Sequence, residues 1–183
     1  MFHTYILELF RPLLGKGIVL TTFAPRHYAP EDIFLASVNQ LRRQHLMYSL
    51  THPGSAMSNV FWHFGLLHSA NAALTNLSNP DSQLFFLMSI LDYQRITIGF
   101  PVMKTVATGF LTVAIKSGFL TVKDARRLRQ RLLEDAHEQH AVARIDADFP
   151  LDLNSSNSQD PRQRSVRTLA QAFDDLTMTN TPD

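Results

Sequence analysis

From Gln44 to Pro80 the chain carries no Asp, Glu, Lys or Arg, although 17 basic and 16 acidic side chains lie elsewhere in it. An uncharged stretch of that length belongs either in lipid or in the interior of a protein. Its polar load decides between them. Between Ala56 and Leu77 stand Ser58, Asn59, His63, His68, Ser69, Asn71, Thr75 and Asn76, too many hydrogen-bonding groups for a spanning helix. The segment is therefore expected to be buried in protein. At 183 residues, 45% of them apolar, the chain is long enough for one domain with a substantial core.

The apolar spacing on both sides is helical. A first helix is predicted from about His3 to Leu14, with Tyr5, Ile6, Leu9, Leu13 and Leu14 available for burial, ended by Arg11-Pro12 and Gly15-Lys-Gly17. A second starts at Pro30-Glu31-Asp32, where proline needs no donor and the acids suit the helix dipole; Ile33, Phe34, Val38, Leu41 and Tyr48 recur along it until Thr51-His-Pro-Gly54. The third covers roughly Ala56–Leu77, with Met57, Val60, Phe61, Phe64, Leu67 and Leu74 on a broad face. Asn79-Pro80-Asp81 starts a fourth, about 80–95, whose nearly all-round apolar surface suggests a central position. The fifth, about 101–117, is rich in β-branched residues, so a strand pair is the alternative there. Thr121 with Asp124 is a shortened capping box opening a sixth helix that runs to about Arg144.

The expected fold is thus all-α, an irregular bundle of about six helices spanning 1–145, followed by a mostly disordered tail over 146–183. Asn154-Ser-Ser-Asn-Ser-Gln-Asp-Pro161 has too little apolar surface to order itself. A short amphipathic segment, 166–177, interrupts the tail.

Chemistry is sparsely signalled. The absence of cysteine excludes disulfides, a cysteine nucleophile and thiolate metal sites within these residues. His137 and His140 lie three apart, which permits two-point metal binding on a helix, but the zinc-protease pattern needs a spacing of four, and a solvated charged face is the favoured reading. His63 and His68, five apart, do not share a face and read as hydrogen-bonded interior residues. No phosphate loop, dinucleotide fingerprint or nucleophile elbow is present. Catalytic, cofactor and metal residues are accordingly expected to be absent, and the chain is read as a non-enzyme. A net charge of +1 creates no global field for nucleic acid. Lys123, Arg126, Arg127, Arg129 and Arg131 could meet phosphates, but neighbouring acids make a solvated face the simpler reading.

What does have a pattern is an order of local motifs. Met1-Phe-His3-Thr-Tyr-Ile-Leu-Glu-Leu-Phe-Arg11-Pro12-Leu-Leu is followed by Ala36-Ser-Val-Asn-Gln-Leu-Arg-Arg-Gln-His-Leu-Met-Tyr48 and a Pro-Gly break. A long helix from Met57 to Leu77 comes next, then an apolar helix, Phe100-Pro101 and a further helix within Asp81–Leu133. Over about residues 1–143 this series resembles the fungal-specific transcription factor domain, the middle homology region of zinc-cluster regulators, with nitrogen-assimilation-type activators the nearest in character.

The resemblance implies a helical regulatory region that works in the nucleus, restraining or transmitting activity through other transcription-factor domains, coactivators or a second copy of itself. The six-cysteine zinc cluster of such regulators has no counterpart here. The resemblance therefore implies a C-terminal piece whose Met1 falls inside a helical motif, with zinc expected only in the DNA-binding cluster of a full-length relative and no direct DNA or membrane contact from this part. In the amphipathic segment, Leu169, Phe173, Asp174, Asp175 and Leu176 alternate acid and bulky apolar side chains as a short activation motif would, the alternative being a plain disordered tail. The competing functional reading is a helical small-molecule-binding or enzymatic domain unrelated to transcription, with its pocket around His63, His68 and Tyr93.

Overall fold

The computed structural model describes residues 2–20, 28–51, 62–75, 79–134, 149–153 and 160–178. The helix signals in the sequence are answered almost one for one. The elements are α1 (Phe2–Phe10, continued by a tight 3-10 turn at Arg11–Leu13), α2 (Pro30–Thr51), α3 (Trp62–Thr75), α4 (Pro80–Thr97), α5 (Val102–Lys116), α6 (Val122–Glu134) and α7 (Val166–Met178). The fold is all-α, and no strand occurs among the described residues, only two isolated bridges, Leu20 with Tyr28 and Pro150 with Ser165.

The capping chemistry explains the starts. Asn79 Oδ1 accepts from the Asp81 N–H at 2.9 Å, with Pro80 at the first helical position. Thr121 Oγ1 accepts from the Asp124 N–H at 3.2 Å and donates to the Asp124 carboxylate at 2.6 Å, a compact form of the expected box. The fifth segment is a helix despite its β-branched residues, because helix–helix burial outweighs their weak preference for strands. It stops at Gly118, whose φ of 73° lets the chain reverse while the Phe119 and Leu120 N–H groups return to the Ala114 carbonyl.

Burial is distributed differently from the sequence-based expectation in three places. The central helices are α3 and α5 rather than α4. Between Met103 and Ala114 of α5 only Lys104 and Thr105 escape full burial, whereas Leu84 and Leu91 of α4 face solvent. On α1 the buried residues are Thr4 and Leu7, three apart, while Tyr5 and Leu9 are exposed; Leu7 packs with Val38 and Leu41 of α2, which turns the helix away from the expected face. On α3, Phe64 is exposed; His63, Leu66, Leu67, Ala70 and Leu74 form the inner surface. Met57, Val60 and Phe61 lie outside the described residues.

A further difference concerns the end of the chain. The amphipathic segment at 166–177 is helical, but it does not stand apart from the body at 1–145. Val166, Leu169 and Phe173 of α7, together with Leu151, belong to the same core as Phe86, Tyr93 and Phe110. A run of polar residues beside an apolar periodic segment says only that the run does not pack, and says nothing about where the segment goes. Its destination is the α5 surface. Residues 154–159 and 179–183 lie outside the described residues.

Two devices seat this C-terminal part. The first is Gly109 on α5. A methyl group there would lie 2.5 Å from Leu151 Cδ2 and 3.5 Å from Leu169 Cβ, so the missing side chain is what lets both leucines reach the helix. Replacing Gly109 with valine is expected to lower stability by about 2 kcal/mol through overpacking, measured as a shift in urea midpoint; an unchanged midpoint would mean that Leu151 does not sit there.

The second is Asn71 on α3. Its Nδ2 donates to the Leu67 and Leu151 carbonyls at 2.9 and 3.0 Å, and its Oδ1 accepts from the Leu153 N–H at 2.9 Å. A buried carboxamide thus imitates a neighbouring strand for residues 151–153. The Leu151 N–H donates in turn to the Arg164 carbonyl at 2.8 Å, joining the segment to the start of α7.

Candidate functional site

The uncharged segment places histidines in the interior, and their partners fix what each can do. Trp62–Thr75 forms α3, which carries His63 and His68 into the protein at 6% and 3% exposure. His63 Nδ1 lies 3.1 Å from the Tyr93 hydroxyl. Burial pushes the Tyr93 phenol well above its ordinary range, so it remains protonated and able to donate. Burial also pushes His63 down to about 4, leaving the ring neutral at physiological pH.

His68 faces the opposite way, towards the end of α1. Arg11 Nη2 lies 2.8 Å from His68 Nδ1, and a guanidinium can only donate, so Nδ1 must accept. The ring proton therefore sits on Nε2, which faces Glu8 Oε1 at 3.2 Å. Glu8 also receives Arg11 Nη1 at 3.3 Å. Desolvation first, then the charge of Arg11 and the neighbouring His63, lower His68 to about 3. It is a neutral ring with both nitrogens engaged, and so it orients Arg11 rather than moving protons.

A third histidine, given no role from the sequence, has a buried acidic partner. His45 of α2 meets Asp92 of α4 through Nε2 and Oδ2, both residues being buried, while Arg95 Nη1 donates to the other Asp92 oxygen at 2.9 Å. The signal available in sequence was the helical register of His45 with Val38 and Leu41 on the inner face of α2. This cluster joins α2 to α4. Among the described residues no nucleophilic side chain is hydrogen-bonded to it, and what the cluster does is tie the two helices together.

Among the described residues, His68 lines a cleft that His63 and Tyr93 do not line. His63 and Tyr93 face each other in the core, whereas His68 borders a cleft of about 800 Å3 where the end of α1 meets α3, residues 150–153 and Arg164. Arg11, Lys16, Phe34, Asn71, Asp152 and Arg164 are among its walls.

The activation-motif residues divide by face. Leu169 and Phe173 are buried, Leu176 is half-buried, and Asp175 is exposed. Asp174 pairs with Arg129 of α6 at 2.6 Å, and the Arg129 guanidinium lies over the Phe173 ring at 4.9 Å. Leu169 and Phe173, two of the apolar residues expected to enter a coactivator groove, thus lie in the protein's own core. The same pair draws one cation of the basic α6 series inward, and Arg127 lies 3.9 Å from Asp124. His137 and His140 lie outside the described residues; among the described residues no group of three or more His, Asp or Glu side chains is placed to hold a metal ion. No helix is long and apolar enough to cross a membrane among the described residues.

Compared with protein-family models, curated proteins and solved structures, the chain finds no match.

Proposed function

We propose that this chain is a regulatory, non-DNA-contacting part of a zinc-cluster-type transcription regulator, acting in the nucleus through contacts with other regulator domains or coactivators. The ordered motifs over residues 1–143 support the family. The observation that carries the mode of action is the outer stripe of α1. Phe2, Tyr5 and Leu9 stand three and four residues apart on one side of the helix and are 70%, 71% and 65% exposed. Three large apolar side chains aligned in solvent are a recognised mark of a protein-binding surface. The opposite side of α1 is fastened by Leu7 and by the Arg11–Glu8–His68 group, so the stripe is presented on a fixed element.

The test tethers the whole chain to a heterologous DNA-binding domain upstream of a reporter. The wild-type chain is expected to change reporter output, and the double variant Tyr5→Lys, Leu9→Lys to abolish the change while leaving the unfolding free energy within about 0.5 kcal/mol of wild type, because both sites are exposed. A tethered chain without effect on the reporter, or tight salt-dependent binding of the isolated chain to one DNA sequence, would contradict the proposal.

A further inference from the structure

The cleft at the end of α1 combines two features that the transcription reading does not use: an excess of cationic walls and an apolar side. Arg11, Lys16 and Arg164 line it against a single carboxylate, Asp152. Arg11 is the best placed of them. Its side chain is only 22% exposed, and it is held by Glu8 and His68 through one donor on each terminal nitrogen. A guanidinium has five N–H donors in a rigid fork, so three are left over from these two contacts. His68 accepts one of the bonds as a neutral ring and so positions the fork without adding charge.

Lys16 is also presented on a fixed loop. The Gly15 N–H donates to Glu31 Oε1 at 2.7 Å, tying the turn after α1 to the start of α2. Across the cleft, Phe34 and Ala72 offer an apolar wall, and Leu153 is held there by the bond from its N–H to Asn71. Asn71 itself is occupied by three backbone partners and serves as scaffold. A volume of about 800 Å3 is that of a site for a small organic molecule.

We propose that this cleft binds a small organic anion. Its carboxylate or phosphate lies between the Arg11 guanidinium and the Lys16 ammonium, and its apolar body lies against Phe34, Ala72 and Leu153. A preorganised, partly desolvated guanidinium favours an oxyanion over a neutral ligand because it needs no reordering on binding. The site stands independently of any role in transcription.

The experiment measures the affinity of the intact chain for phenylacetate, phenyl phosphate, 2-phenylethanol and inorganic phosphate by titration, following the amide resonances of Asn71 and Leu153. At least one of the two aromatic anions is expected to bind at least tenfold more tightly than either 2-phenylethanol or inorganic phosphate, and to move both resonances; which anion binds better identifies the head group. Lys16→Glu is expected to weaken that binding by about tenfold; Lys16 is exposed, so the unfolding midpoint should hold. Arg11→Lys is expected to weaken it as well, by loss of the fork. Equal affinity for the neutral alcohol, equal affinity for inorganic phosphate, no binding of either aromatic anion, or an unaltered affinity in a folded Lys16→Glu chain would each overturn the proposal.

Discussion

Phe173→Ala is expected to destabilise the protein by about 4 kcal/mol, the cost of removing a large aromatic side chain from a packed core. Phe173 is 1% exposed, shares a core with Phe110 and Tyr93, and carries the Arg129 guanidinium on its face. For a chain of this size a loss of that magnitude lowers the thermal midpoint by roughly 8–16 °C. Far-UV circular dichroism during heating measures it directly. The contrast with Asp175→Ala is informative. Asp175 is exposed on the same helix, and its replacement should change the unfolding free energy by no more than about 0.5 kcal/mol. If Phe173 instead served a solvent-facing activation motif, the two substitutions would be equally mild, and reporter output alone would separate them.

The second large effect is on pH dependence. His63 and His68 have folded-state pKa values lowered to about 4 and about 3, against 6.5 for a free ring, with burial the leading cause in both. At pH 7 both rings are neutral whether the chain is folded or not. Below about pH 6.5 the unfolded rings take up protons that the buried rings refuse, so stability falls as pH falls, until the folded rings titrate near 4 and 3. Between pH 7 and pH 5 the expected loss is roughly 2 kcal/mol for each ring, about 4 kcal/mol together. Urea midpoints at the two pH values measure it. His68→Gln retains a donor and an acceptor but does not titrate, and should remove about half of the loss. An equal loss in wild type and variant would show that His68 is not held neutral.

Much of this architecture was legible in the sequence. Asn79-Pro80-Asp81, Thr121 with Asp124, and Pro30-Glu31-Asp32 are local signals whose physics is complete within four residues, and each marks a helix start in the structure. The polar, uncharged segment was read as protein interior because its side chains needed partners, and His63, His68 and Asn71 have them. What the sequence did not show depends on contacts between distant residues. Asn71 bonds to residues 80 and 82 positions away. Gly109 matters only once Leu151 is known to lie against it. His45 was one polar residue in a mixed helix until Asp92 came opposite.

The face of α1 was misjudged for a related reason. Five apolar residues in a short helix leave several rotations open, and the Leu7 contact with Val38 and Leu41 selects one that buries Thr4 and exposes Tyr5. The C-terminal segment was misplaced because low apolar content before it suggested a tail. Thr112 Oγ1, which donates to the Leu169 carbonyl at 2.7 Å, is part of what holds it instead.

With α7 an integral part of the core, the α1 stripe and the cleft are the surfaces proposed for a partner and for an anion. Amide hydrogen exchange on the intact chain tests this most directly. The amides of Phe173 and its neighbours in the middle of α7 should exchange as slowly as those of Phe110 and Leu111 in α5, since both helices open only when the common core does. Exchange of α7 within the dead time, with α5 still protected, would contradict the account and return the C-terminal helix to the role of a free, partner-seeking segment.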